Sequence, residues 1–197
     1  MGKSASMRLL LFVAAAVLLP SFAYAHVGIG EASGFMHGLA HPISGLDHIC
    51  AMLAVGLWAA QMGGRSVWAV PLTFVSVMAL GSVLPMLGIS LPFIEQGIVL
   101  SVLLLGVLIA ASVRLPLIWG SSMVGLFALW HGHAHGAEIP AWSSGITYAM
   151  GFMLATAFLH IIGITFGFAM QRLMHERIIH AAGASIALCG VHLAVAT

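Results

Sequence analysis

The sequence predicts an all-α polytopic membrane protein, a bundle of six transmembrane helices behind a cleavable signal peptide. Three observations point there. Of the 197 residues, 61% are hydrophobic and only 6% charged, a balance that no soluble domain needs to bury one core. The apolar runs each approach the roughly 20 residues that cross a bilayer as a helix, the form that satisfies every backbone amide without water. Arginines follow alternate runs, as positive residues do on the cytoplasmic side of a membrane.

Lys3 and Arg8, the apolar stretch from Leu9 to Leu19, Pro20 and the small-residue site Ala23-Tyr24-Ala25 predict a signal peptide over residues 1–25. A single six-helix domain over residues 26–197 would remain, its N-terminus outside. A Gly-rich outer segment, Val27 to Gly34, precedes the first span. Hydropathy and Gly/Pro punctuation place spans at 42–62, 67–87, 94–112, 115–131, 143–171 and 178–196. Pro42 suits a first helical position, where its missing donor costs nothing. An outside start puts Arg65, Arg114, Arg172 and Arg177 on inner loops, while the outer loops Gly88–Pro92 and Gly132–Ala141 carry no arginine. This orientation fits the inner membrane of a bacterium. Gly163 with Gly167, and Gly106 with Ala110, would let helices approach closely.

The formal charge of +1 argues against a nucleic-acid partner and against a polybasic lipid-binding surface. Cys50 and Cys189 sit inside apolar runs without the spacing of a zinc site and read as packing. The methionines are scattered and read as core. The unusual number is eleven histidines, because imidazole is costly filler in a membrane and a common ligand for transition metals.

The first polar constellation is His41-Pro42-Ile43-Ser44-Gly45-Leu46-Asp47-His48. On one continuous helix, Asp47 would lie roughly 9 Å below His41, and His41 and His48 would share a face. An unpaired carboxylate there costs about 2.5 to 3.5 kcal/mol, so Asp47 calls for a cationic partner, either a metal or a protonated histidine. The bland alternative is an Asp-His pair that only locks two helices. The second constellation is Trp130-His131-Gly132-His133-Ala134-His135-Gly136-Ala137-Glu138. If the helix persists, His131 and His135 lie one turn apart on one face and His133 points elsewhere; Gly132 and Gly136 could instead open the backbone. The first span begins and the fourth ends outside, so topology brings both constellations to one half of the membrane.

Imidazole with carboxylate suits nickel, cobalt, zinc or copper(II) rather than magnesium or calcium. The candidate ligands are His41, Asp47, His48, His131 and His135. Secondary candidates are His26, whose amino group signal cleavage would free, His37 on the same side, His133, and His160 deep in the fifth span, which could continue a path inward. His175, Glu176 and His180 read as solvated groups at an inner loop. The metal would be cargo, with no prosthetic group and no catalytic residue. No Gly-x-x-x-x-Gly-Lys-Ser/Thr loop is present for ATP-driven pumping. Two other classes compete with a permease: an intramembrane zinc-dependent hydrolase drafting Asp47, His131 and His135, and a metal-binding accessory protein without transport.

Both constellations together resemble the HupE/UreJ family of nickel and cobalt permeases. Its first motif, His-Pro-x-x-Gly-x-Asp-His, stands at His41 to His48, followed by the Met52-to-Trp58 run. Its second, an aromatic residue with His-Gly-x-Ala-His-Gly-x-Glu, is similar to Trp130 through Glu138. The resemblance covers essentially the whole chain and implies six spans and import of nickel or cobalt across the inner membrane. It also implies metal-path roles for His41, Asp47, His48, His131, His135 and Glu138, and a functional link to hydrogenase or urease. Trp130 stands where the family commonly has Phe, and His133 is an additional imidazole.

Overall fold

The computed structural model describes residues 31–139, 144–173 and 176–196, and every regular element in them is helical. The predicted signal peptide, His26 and His175 lie outside the described residues. The helices are α1 (Glu31–Ser44), α2 (Leu46–Met62), α3 (Ser66–Met86), α4 (Ile94–Ala110), α5 (Leu117–Ala137), α6 (Gly145–Leu173) and α7 (Glu176–Ala196). By length and composition, Ser66–Leu87, Gly145–Arg172 and Arg177–Ala196 can each cross a membrane; α1 and α2 are long and apolar enough only taken together, as a broken span or a re-entrant loop, and Ile94–Ala110 is a shorter apolar helix.

Helix α2 is apolar all round and forms the axis of the bundle, with Ala51, Met52 and Ala54 through Gln61 buried. It packs most closely on α6, and α3 on α5, α4 on α7 and α1 on α6 make the other principal pairs. Leu72, Leu80, Ile118, Leu126, Leu154, Phe158, Ile161 and Leu188 are exposed outside this core. Such an apolar exterior is what lipid contact requires and water would penalise. The pairs meet at small residues, as expected for Gly163, Gly167, Gly106 and Ala110: Gly163 lies against the Leu53 carbonyl, Gly167 against Ala60, and Gly106 and Ala110 against Gly183.

Short connections alternate the helix direction. At one end, the Trp58 indole donates to the Val113 carbonyl at 2.9 Å, Gln61 Nε2 to the Ile109 carbonyl at 3.2 Å, and Gln171 Nε2 to the Ala60 carbonyl at 3.1 Å. Arg65, Arg114, Arg172 and Arg177 therefore gather at that end, and the C-terminus of α5 lies at the other. His180, expected to be solvated, is partly buried there and bonded through Nδ1 to the Ala110 carbonyl.

The structure corrects two further expectations. From Glu31 to Ser44 the chain is helical, so Pro42 lies near the end of α1 instead of opening the first span. Poor intrinsic propensity yields here to tertiary packing, because Gly38 seats on the Tyr148 carbonyl of α6 and Gly151 on the Phe35 carbonyl of α1. The chain then breaks at Gly45, which is extended (φ −101°, ψ 128°), and α1 meets α2 at 81°. His41 and His48 thus share no helical face, and the depth of Asp47 does not follow from counting residues from His41. The second correction concerns α5, which continues to Ala137 rather than ending at residue 131.

Candidate metal centre

The continuation of α5 is what builds the site. Gly132 lies against the Met78 carbonyl and Gly136 against the Ser82 carbonyl of α3, so these glycines bring two helix backbones together rather than opening one. Each glycine follows a histidine, and on the face turned toward α2 are these two, His131 and His135, one turn apart and 0% and 4% exposed. The break at Gly45 places Asp47 and His48 in the first turn of α2, directly opposite.

Three imidazoles meet there. His131 Nδ1 is 2.9 Å from His48 Nε2, and His135 Nε2 also contacts His48 Nε2. The outward nitrogen of each ring faces a polar group. Asp47 Oδ2 lies 3.0 Å from His48 Nδ1, which donates to it. Ser101 Oγ of α4 donates to the Ile98 carbonyl at 2.6 Å, leaving its lone pair to accept from His131 Nε2 at 2.9 Å. His135 Nδ1 faces Glu138 Oε2 at 3.4 Å, an ion-pair distance rather than an aligned hydrogen bond.

This network assigns the tautomers. With protons on His48 Nδ1 and His131 Nε2, the lone pairs of His48 Nε2 and His131 Nδ1 face each other, and His135 Nε2 adjoins them. Lone pairs facing each other repel unless a cation, metal or proton, lies among them. Imidazole nitrogens sharing one transition-metal ion at about 2.0 to 2.1 Å stand about 3 Å apart, and the ligand atoms of His48, His131 and His135 lie within 4.8 Å of one another. Outward bonds to carboxylate or hydroxyl are the usual means of orienting such ligands and raising their basicity.

A second group, His41, His135 and Glu138, adjoins the first through His135. Glu138 Oε2 lies 3.0 Å from His41 Nε2. The imidazoles of His135 and His41 hold the Glu138 carboxyl well below the usual glutamate range, so it stays ionised. A cavity of about 210 Å³ joins the two groups, lined by His41, Asp47, His48, Glu95, His135 and Glu138. Three of the chain's five acidic residues line it, a concentration of negative charge that draws cations. Aromatic rings pack on the histidines: that of Phe152 lies 4.2 Å from the His135 ring and that of Phe74 5.5 Å from the His131 ring.

The sequence candidates divide accordingly. His48, His131 and His135 form the buried cluster, and His41 and Glu138 the shallower one. Asp47 acts on His48 rather than converging with the imidazole nitrogens. His133 points away, its Nε2 lying 3.0 Å from the Ile89 carbonyl and 3.3 Å from the Leu91 amide. His37 belongs to neither cluster, its ring 6.3 Å from that of His41. His160 is separate, below Phe74. Sequence reasoning missed Ser101, an unremarked hydroxyl in an apolar run, and Glu95, whose signal was available as an acid in the first turn of a span at the same end.

Residues 14–193 match the family described as HupE / UreJ protein. The chain is similar to Protein HupE of Rhizobium leguminosarum bv. viciae, 48% identical over 183 residues that cover 92% of this chain and 94% of that one. No solved structure matches.

Proposed function

Because this chain belongs to the HupE/UreJ protein family, we propose that it is a secondary transporter importing a divalent transition-metal ion, nickel or cobalt, across the bacterial inner membrane. The observation that carries the proposal is the convergence of His48, His131 and His135 inside a helical bundle, beneath a cavity bearing Asp47, Glu95 and Glu138. Carboxylates collect the hydrated ion at the mouth, and imidazoles replace part of its water below. His41, His135 and Glu138 form the outer stage, and His48, His131 and His135 the inner one.

In this reading the signal peptide is removed after Ala25 and helices α2 to α7 make six passes, with α1 folded beside them. The end bearing Arg65, Arg114, Arg172 and Arg177 faces the cytoplasm and the histidine end faces outward. Inward movement of a cation then gains about 2.3 kcal/mol per charge per 100 mV of membrane potential. The imported ion supplies hydrogenase or urease maturation. The carboxylates favour this reading over a zinc hydrolase: Asp47 is engaged with His48, and Glu138 with His41 and His135, so each orients imidazoles instead of waiting as a free base.

Purified protein in liposomes with an imposed inside-negative potential tests the proposal. Nickel or cobalt accumulation that disappears in His48→Ala supports it. Binding with no flux would assign an accessory role, and release of a hydrolysis product from an added peptide without ion flux would assign the enzyme.

A further inference from the structure

His160 is 1% exposed in the middle of α6, and neither of its ring nitrogens has a hydrogen-bond partner among the described residues. An orphaned imidazole in a membrane interior weakens the fold, so packing alone gives no reason for it. Its surroundings supply one. The Phe74 ring stands between the two levels of histidine, its centroid 5.5 Å from that of His131 above and 5.3 Å from that of His160 below. One turn nearer the histidine end, buried Thr156 places Oγ1 4.0 Å from the Met78 sulfur. The backbone carbonyl of His160 is pressed against Gly56 of α2, so the residue's height in the bundle is fixed. Along α6 it lies eight residues beyond Phe152, which packs on His135 and His48, and thus roughly 12 Å farther toward the arginine end at 1.5 Å per residue.

From this placement we infer that His160 is the transfer residue of the inward path: it receives the divalent ion from the three-histidine cluster when the Phe74 ring swings aside, and passes it toward the arginine end. The inference rests on the transport reading above. Three imidazoles hold a transition-metal ion firmly, whereas conduction needs a following site weak enough to release it. A single imidazole, with a hydroxyl and a thioether about one turn nearer the histidine end, is such a site. It lowers the barrier to a partly dehydrated cation without trapping it. The cluster should therefore govern equilibrium binding and His160 the rate of passage.

The test uses His160→Leu and His160→Gln, each compared with wild type in two measurements: cobalt affinity of the purified protein by titration, and cobalt influx into liposomes under an imposed potential. Both variants should bind cobalt within about twofold of wild type. Influx should fall roughly tenfold or more in His160→Leu, the scale of one lost contact to a charged group, and less in His160→Gln, which keeps a polar atom there. Influx in His160→Leu equal to wild type would overturn the inference alone. Loss of cobalt binding in both variants would also overturn it, because His160 would then be supporting the fold or the cluster. Absence of influx in the wild type would remove the transport reading and this inference with it.

Discussion

His131 Nδ1 stands 2.9 Å from His48 Nε2, although 83 positions separate the two residues in the chain. Each ring has its other nitrogen committed, His48 to Asp47 and His131 to Ser101. Two acceptors aimed at each other in a buried space are stable only around a positive charge. Four expectations follow from that pairing and from the packing that enforces it.

Asp47→Asn keeps the size of the side chain and removes its charge. His48 Nδ1 then loses an ionic acceptor, and the lone pair on Nε2 is no longer fixed inward. Loss of such an outer partner weakens metal binding about 10- to 100-fold. Cobalt titration of purified wild type and variant measures the ratio; equal affinities would detach Asp47 from the site.

Ser101→Ala removes a single hydroxyl from a fully buried position. The small volume change should leave the fold intact, while His131 Nε2 loses its acceptor and the ring can adopt the wrong tautomer. Affinity for cobalt is expected to drop about tenfold, and the thermal midpoint of the metal-free protein in detergent to fall modestly, because the buried His131 Nε2–H is left unpaired. A lowered midpoint at unchanged affinity would make Ser101 a packing residue only.

His133→Ala tests the histidine that points away. Its loss removes the one bond that Nε2 makes, to the Ile89 carbonyl or from the Leu91 amide, at a cost of about 1 to 3 kcal/mol, and touches nothing in either cluster. Thermal stability should fall while cobalt affinity stays within about twofold; His135→Ala should do the reverse. Both can be read from one set of melting curves with and without cobalt.

Much of this was legible in the sequence because it depends on counting. Apolar runs alternate with short loops, so helices begin and end at known faces, and His48 had to share an end with His131 and His135. The spacing of His131 and His135 already put His133 on another side. The bend at Gly45 was hidden because Pro42 fits a helix start as well as a late position in a preceding helix, and only the packing of Gly38 and Gly151 between α1 and α6 decides. Gly132 and Gly136 were ambiguous for the same reason: in isolation glycine weakens a helix, yet against a neighbouring carbonyl it is what allows contact. Ser101 could not be found, since one serine in an apolar helix has many uses and its partner lies on α5.

Gly132→Ala addresses that contact. A Cβ at residue 132 would run into the Met78 carbonyl of α3, a backbone atom that cannot rotate away. Separating α3 from α5 should destabilise the protein by about 1 to 3 kcal/mol and shift His131 relative to His48, weakening cobalt binding as well. Thermal midpoint and affinity should fall together; a normal value for either would contradict the tight interface.

The most direct measurement is X-ray absorption at the metal edge of purified protein loaded with one equivalent of nickel or cobalt. The expected spectrum has imidazole nitrogen scatterers at about 2.0 to 2.1 Å, with the outer-shell pattern of rings reduced when His48, His131 or His135 is replaced by alanine. An oxygen-only shell, or an imidazole signal unchanged by all three replacements, would contradict the site described.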